Sequence, residues 1–262
     1  MTNPTPIDCA FAAMQVDNTD TIARLRFYES LCDAELILSL KNEPTNETLS
    51  PQIFSSEGQN YALIFDSHER LADFAKVTSP YAALPGRVII EMLEGQNIGL
   101  GLNLGVAPSN ILLPASAVDW LGNVLSANVR EQTAAPQEIF APTNIPTPLL
   151  CSLTKKLNFA IGLADSACLV CVRYSRGDPG YLLAYIDARQ EAYAELTQII
   201  SDAMAFSGVE NETIDVAFFS SSDPICSRLT RAGLFFDLTE PEQPTPAPTA
   251  PGMDPDKPPR LT

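Results

Sequence analysis

Three residues with the chemistry of a catalytic triad stand side by side in the segment YALIFDSHERLADFAKV, where Asp66 and Ser67 precede His68, the only histidine of the chain. A triad is assembled by folding from distant positions, and three consecutive residues do not generally align as orienting acid, nucleophile and base. The surrounding pattern favours a simpler role, the start of a helix. We therefore expect no catalytic residue in this segment.

The residues after Phe65 carry the periodicity of an amphipathic helix. Leu71 and Phe74 recur at helical spacing. The charged residues around them are expected to face away from this apolar stripe, namely Glu69, Arg70, Asp73 and Lys76. Asp66 followed by Glu69 is the pattern of a capping box, and Ser67 is an equally good N-cap. The run thus marks the point where a buried strand ends and a helix begins.

Six cysteines are spread over the chain, and only Cys168 and Cys171 are close in sequence. Their C-x-x-C spacing occurs in zinc and redox motifs, but the surrounding residues, ACLVCVRY, are typical of a strand. Residues three apart on a strand point to opposite faces, and a zinc knuckle needs a second ligand pair that this chain lacks. We expect reduced, mostly buried thiols, no metal site and no cofactor.

Cys226 is the best candidate for a reactive thiol. In SSSDPICSRLTRA it lies in the first turn of a predicted helix, where backbone N–H groups can lower the pKa of a thiol. The same position also suits a buried cysteine that only packs in a core.

The charge of the chain restricts its predicted partners. With a net charge of -16 and a pI of about 4.3, the surface repels phosphate backbones and anionic lipid headgroups. No apolar run reaches the roughly 20 residues of a spanning helix. We therefore expect neither nucleic acid nor membrane as a partner. The start, MTNPTPIDCAFAAM, lacks the features of a secretory signal, which predicts a cytoplasmic protein that is mature as written.

The order of predicted helices and strands indicates an α/β (α+β) fold with two sheet-and-helix domains in tandem. We predict an N-terminal domain over 1–130, a proline-rich linker over 131–148 and a C-terminal domain over 149–238. Residues 239–262 are so rich in proline that they predict a disordered tail.

Several local interpretations belong to the N-terminal domain. SPYAALPG predicts a loop and RVIIEML a strand, and Glu29 is expected on the exposed side of a helix over DTIARLRFYESLCDA. Gly99, Gly101 and Gly105 are spaced one residue wider than the dinucleotide-binding fingerprint, and no helical pattern begins directly after them. They predict a strand bulge or a close backbone approach, not a nucleotide site.

Longer stretches of the chain resemble the SseB family, named for enhanced serine sensitivity. YALIFDSHERLADF and YAALPGRVIIEMLEGQNIGLGLNLG are similar to its N-terminal domain, and IPTPLLCSLTKKL, VCVRY and YLLAYID to its C-terminal domain. Members of the family often have Asn-Pro at the turn where this chain has Asn103 and Leu104. The resemblance covers about residues 20–238. It implies a bacterial, cytoplasmic protein linked by name to serine tolerance, with no catalytic residues to carry over.

Together these observations favour a non-enzymatic binding or regulatory protein, because no convergent set of histidine, cysteine and carboxylate residues is evident. Its partner would be another protein or a small amino-acid-like ligand, and the sequence does not predict its oligomeric state. Asp66, Ser67 and Asn103 lie near the ends of predicted strands and are the candidate ligand contacts. Two alternatives stay open: an enzyme of amino-acid or sulfur metabolism with Cys226 as nucleophile, and a sensor that binds an amino acid between the domains.

Overall fold

A computed structural model describes residues 4–17, 19–44, 48–126, 138–173, 179–209 and 212–240. These residues form two mixed sheets, each packed with helices, which confirms the predicted α/β (α+β) fold with two sheet domains. We call the helices and strands before residue 127 the first unit and those after residue 137 the second unit.

Each unit contains helices that pack on the faces of its sheet. The first unit contains α1 (Pro6–Val16), α2 (Thr21–Asp33), α3 (His68–Ala75), α4 (Gly86–Leu93) and α5 (Ala115–Leu125). The second unit contains α6 (Thr147–Lys156), α7 (Tyr193–Ser207) and α8 (Cys226–Ala232), with short 3-10 helices at Leu157–Ala160 and Gln190–Ala192. None of the helices in the described part of the chain is long and apolar enough to cross a membrane.

The strands form one sheet in each unit. The first sheet consists of β1 (Glu35–Ser39), β2 (Ile53–Ser56), β3 (Gln59–Phe65), β4 (Tyr81–Pro85), β5 (Ile98–Leu102) and β6 (Ile111–Leu113). The second consists of β7 (Glu138–Phe140), β8 (Ser166–Arg173), β9 (Gly180–Ile186), β10 (Ile214–Phe219) and β11 (Leu234–Asp237).

The two sheets share a pattern of strand directions. The first has the order β4-β1-β3-β5-β6, and the second has the order β11-β8-β9-β10. In both, the two central strands are antiparallel, and the strand beyond them is parallel to its neighbour, β5 to β3 and β10 to β9. The outer strands β4 and β11 are antiparallel to β1 and β8. The chain nevertheless reaches β4 before β5, whereas it reaches β10 before β11.

The segment RVIIEML is a helix, and the prediction of a strand there was wrong. Within α4, Ile89 and Leu93 are buried at helical spacing. The helix starts directly against α2, because the Gly86 amide donates to the Ala34 carbonyl oxygen at 2.8 Å. A β-carbon on Gly86 would lie 1.9 Å from the Leu31 carbonyl oxygen. A short apolar run is compatible with either structure, and its packing on α2 decides for the helix.

The residues YAALP before this helix form the strand β4 instead of the predicted loop. Among the described strands β4 pairs only with β1, and its residues alternate between exposed and half-buried. Pro85 ends the strand. Proline is tolerated on an edge strand because the ladder there needs no donor on the outer side.

The main helical layers of the two units pack against each other. Helices α1, α2, α4 and α5 cover one face of the first sheet, and α6 and α7 cover one face of the second. The layers meet where α2 and α5 contact α7. Phe206 of α7 is 1% exposed and belongs to the core of the first unit. The second unit therefore completes the core of the first.

The opposite faces of the sheets are covered thinly. Among the described helices, only α3 packs on the outer face of the first sheet and only α8 on that of the second. Each of these helices has eight residues or fewer.

Parts of the predicted linker and tail lie outside the residues that the structure describes. Residues 131–137 of the predicted linker and 241–262 of the predicted tail lie outside the described residues. The rest of the predicted linker contains β7, which pairs with β8, and the first residues of α6. The second unit thus begins inside the segment predicted as linker.

Replacing Phe206 by alanine should destabilise the whole protein by about 3–5 kcal/mol, because it leaves a cavity in the core of the first unit. Urea unfolding measures the loss, and hydrogen exchange should show faster exchange in β3. Phe235→Ala is the control, because Phe235 is 52% exposed, and it should cost less than about 1 kcal/mol. Unchanged exchange in β3 of the Phe206→Ala variant would show that the two cores are independent.

Candidate functional site

The structure brings together two of the three predicted ligand contacts. Asp66 follows β3 and Asn103 follows β5, and these strands are parallel neighbours, so the two residues emerge at the same edge of the sheet. The Asp66 amide donates to Asn103 Oδ1 at 3.2 Å. The backbone of Asn103 has a φ of 49° and its amide donates to the Ile64 carbonyl oxygen at 2.9 Å.

The carboxylate of Asp66 pairs with a buried arginine. Arg70, in the first turn of α3, donates from Nη1 to both Asp66 oxygens at 2.6 Å. Arg70 Nη2 also pairs with Asp8 of α1. Thr5 Oγ1 donates to Asp66 Oδ2 at 2.6 Å. The side chains of Asp8 and Arg70 are each 6% exposed and that of Asp66 is 3% exposed, so this charged group is closed to solvent.

A second chain of hydrogen bonds closes the group into a ring. Asn103 Nδ2 donates to Ser109 Oγ at 2.9 Å, and Ser109 Oγ donates to Asp8 Oδ1 at 2.6 Å. Asn103 and Ser109 are fully buried. We call Asp8, Asp66, Arg70, Asn103 and Ser109 the first-sheet cluster. It ties the start of α1, the β3–α3 connection and the β5–β6 connection together.

The protonation of Asp8 and Arg70 is fixed near neutral pH. Burial alone would raise the pKa of Asp8, but hydrogen bonds from Arg70, Ser109 and Thr5 and the charge of Arg70 outweigh burial and lower that pKa to about 2. A carboxylate of this kind has no proton to exchange at neutral pH, and an arginine keeps its own. The cluster is therefore suited to holding segments together and not to proton transfer.

Ser67 and His68 serve the start of α3. Ser67 is the N-cap, and its Oγ accepts from the Arg70 amide at 3.3 Å. His68 is the first residue of the helix and meets the Tyr81 ring edge-on, with centroids 4.9 Å apart. The helix start is confirmed. The prediction that Arg70 faces away from the buried side was wrong, because its two carboxylate partners draw it inward.

A second group of charges, which the sequence did not reveal, joins the two units, and in it the side chains of Asp33 and Arg87 are 20% and 40% exposed. Lys156 Nζ donates to both Asp33 oxygens at 2.6 and 2.8 Å, and Arg87 Nη2 donates to Asp202 Oδ2 at 2.6 Å. Asp33 and Arg87 belong to the first unit, whereas Lys156 and Asp202 belong to the second. Lys156 and Asp202 are each 1% exposed. Together with Glu29 we call these residues the interface cluster.

Glu29 is buried under the second unit, and the prediction of an exposed residue was wrong. Its Oε1 accepts a hydrogen bond from Ser152 Oγ at 3.1 Å. Burial raises the pKa of Glu29, and Asp33 adds to the rise, while the charge of Lys156 opposes it. The helical period shows which residues share a face of α2, but it does not show that a second helical layer covers the polar face.

Three of the six cysteines are buried, one is half-buried and two are exposed, so the thiols are less buried than predicted. Cys168 packs on the α8 side of the second sheet and Cys171 on the α6–α7 side, which confirms that the C-x-x-C pair points to opposite faces. Cys226 is the first residue of α8, and its thiol donates to the Ser220 carbonyl oxygen at 3.1 Å. Burial, with Asp223 and Asp187 nearby, raises the pKa of Cys226. This shift is opposite to the one expected from a helix start.

Neither cluster forms a metal centre. Within the residues that the structure describes, no three histidine, cysteine, aspartate or glutamate side chains are grouped so that they could hold a metal ion. In the same residues every buried side-chain nitrogen and oxygen has a hydrogen-bond partner.

Comparison with known proteins gives one match. Residues 8–120 match a family model described as SseB protein N-terminal domain. All five residues of the first-sheet cluster lie inside the matched range. No curated protein and no solved structure matches the chain. The family domain expected in the second unit stays a prediction.

Replacing Asp8 by asparagine should lower the free energy of unfolding at pH 7 by about 2 kcal/mol, because the shift of its pKa from 3.8 to about 2 is a stability difference. A carboxyl with a lowered pKa stabilises the folded state above its unfolded pKa, and this contribution disappears as the pH falls through the folded pKa. The gap between wild type and variant in urea unfolding should therefore shrink from pH 4 toward pH 2. Exposed Asp73→Asn should show no such gap, and a gap for Asp8→Asn that is independent of pH would contradict this account.

Glu29→Gln should stabilise the protein at pH 7. A carboxyl whose folded pKa is raised is most favourable to folding below its unfolded pKa, and it loses that advantage as the pH rises through the folded pKa. The glutamine keeps an oxygen for Ser152 and removes the buried charge. Thermal unfolding should show a gain at pH 7 that vanishes near pH 4, while exposed Glu69→Gln stays neutral. A loss of stability at pH 7 would mean that the charge of Glu29 is needed.

Proposed function

We propose that this chain, which belongs to the SseB family by its N-terminal domain, acts by binding a protein partner and not by turning over a substrate. One observation carries the proposal. The polar side chains at the carboxyl ends of β3 and β5, where α/β proteins commonly place their reactive groups, are buried and paired with one another. They leave no group free to attack or to accept a proton from a substrate.

The corresponding edge of the second sheet supports the same proposal. A nucleophilic cysteine needs a lowered pKa or an adjacent base, and the pKa of Cys226 is raised. The only histidine of the chain is His68, which packs on Tyr81 in the first unit. Within one chain, a cysteine–histidine pair at Cys226 would need a histidine that the second unit does not contain.

An aromatic pair in the first unit offers a surface for a partner. Trp120, the only tryptophan of the chain, is 42% exposed and lies on α5. Its ring contacts the half-buried ring of Tyr28 on α2, with centroids 5.7 Å apart. Tryptophan and tyrosine are the residues most often responsible for affinity at protein interfaces. The net charge of -16 of the whole chain favours a basic partner.

Affinity purification from the native host tests the proposal. Wild type should retain a partner in constant proportion, and Trp120→Ala should lose it while keeping its thermal stability. Phe235→Ala removes a similarly exposed aromatic residue, at 52%, from the second unit and should retain the partner. Retention of the partner by Trp120→Ala would exclude this surface.

A cysteine-dependent enzyme of amino-acid or sulfur metabolism is the alternative. It requires product formation from a metabolite mixture that Cys226→Ser abolishes and Cys151→Ser does not. Such a result would replace the binding proposal.

Thiol labelling of the native protein separates the two functions further. Cys9 and Cys151 are exposed and should react first. Cys226 should react slowly, because its thiol is buried, donates a hydrogen bond and has a raised pKa. Cys32 and Cys168 should react last, since burial raises their pKa to about 12 and about 11. Mass spectrometry after short labelling gives the order, and a Cys226 that reacts before Cys151 would favour the enzyme.

A further inference from the structure

The second unit has a cavity of about 250 Å³ at one end of its sheet. Asp187 follows β9, Glu240 lies just beyond β11, and Asp165 directly precedes β8. Since β8 is antiparallel to both neighbours, these three positions meet at the same edge. Arg189 completes the charged lining. The volume is smaller than that of sites for drug-sized molecules, which limits an occupant to a small metabolite.

The walls of the cavity are tied together by the backbone. The Asp165 amide donates to the Ile186 carbonyl oxygen and the Leu238 amide to the Asp165 carbonyl oxygen, both at 3.1 Å. The Arg189 amide donates to the Leu163 carbonyl oxygen at 3.0 Å. The chain segments that carry the charged side chains are thus fixed before any ligand arrives, and pre-organisation of this kind reduces the entropic cost of binding.

Only one of the four charged side chains that line the cavity has a hydrogen-bond partner among the described residues. Asp187 Oδ1 accepts from the Ser221 amide at 2.9 Å. By contrast, no hydrogen bond or ion pair joins the side chains of Asp165, Arg189 and Glu240 to any other residue in the described ranges. Of the three carboxylates and one guanidinium that line the cavity, Asp187 is already held by Ser221, so two carboxylates and one guanidinium remain for a ligand. A complementary ligand has two cationic groups and one anionic group.

We infer that this cavity binds a small amino acid with a basic side chain. Arg189 receives the ligand carboxylate, because a guanidinium matches a carboxylate with two parallel hydrogen bonds. Asp165 and Glu240 receive the two cationic nitrogens. The inference rests on the proposed binding function and adds a ligand to it, in a unit other than the one that carries the aromatic pair.

Isothermal titration of the full chain with three probes tests the site. L-lysine carries all three charged groups, L-serine lacks the second cation, and cadaverine lacks the carboxylate. Lysine should bind saturably, and serine and cadaverine should each bind at least about tenfold more weakly. Absence of saturable lysine binding, or equal affinity for all three probes, would overturn the inference.

Two variants test which side chain binds which charged group of lysine. Arg189→Gln should weaken lysine about tenfold and remove the preference for lysine over cadaverine, whereas Asp165→Asn should weaken lysine about tenfold because it removes the partner of one of the two cationic nitrogens. Both side chains are exposed, so thermal unfolding should be unchanged. Arg26→Gln and Glu195→Gln remove matched exposed charges elsewhere and should leave all affinities as in wild type. An unaltered lysine affinity in both site variants would place the ligand elsewhere.

The outcomes also separate the inference from the proposed function. Lysine binding followed by product formation, detected by NMR, would keep the site and overturn binding without turnover. A retained protein partner without lysine binding would keep the proposed function and overturn the site.

Discussion

The arrangement of the two units depends on charges that are buried where their helical layers meet. Lys156 and Asp202 have almost no access to water, and each pairs with a residue of the first unit. Because an acid of the first unit meets a base of the second and a base of the first meets an acid of the second, a shift of one layer would bring like charges together. A buried charge without a partner costs several kcal/mol. The pairs therefore fix orientation, while apolar contacts such as those of Phe206 supply the strength of the interface.

Whether charged side chains are paired within the protein also determines where a partner or ligand can bind. In the first unit the polar groups at the edge of the sheet pair with one another, whereas the Trp120 side chain on the helical surface is 42% exposed. In the second unit the equivalent edge keeps charged side chains around a cavity. Helix α7 contacts α5, which carries Trp120, and also packs in the second unit. Helix α7 thus contributes to the cores of both units.

Local periodicity predicted the fold class and most helices and strands, because those depend on which residues of a segment share a face. It also placed Asp66 and Asn103 at strand ends, and the parallel pairing of β3 with β5 brought them together. It failed for Arg70 and Glu29, whose burial depends on partners 62 and 123 residues away. A charged residue is buried only when such partners meet it, and no pattern within one helix reports them. The helix α4 was missed because its apolar run is short enough for a strand.

The shared strand directions of the two sheets have a consequence for the ancestry of the protein. The strands β4, β1, β3 and β5 of the first sheet have the same relative directions as β11, β8, β9 and β10 of the second. In the first sheet the chain reaches β4 before β5. In the second it reaches β10, the equivalent of β5, before β11, the equivalent of β4. Duplication of one gene segment reproduces the order of strands along the chain as well as their arrangement in space. If the two units share an ancestor, a permutation of their connections separates them. An internal repeat aligned in chain order would then match the central strands and miss one of the flanking strands.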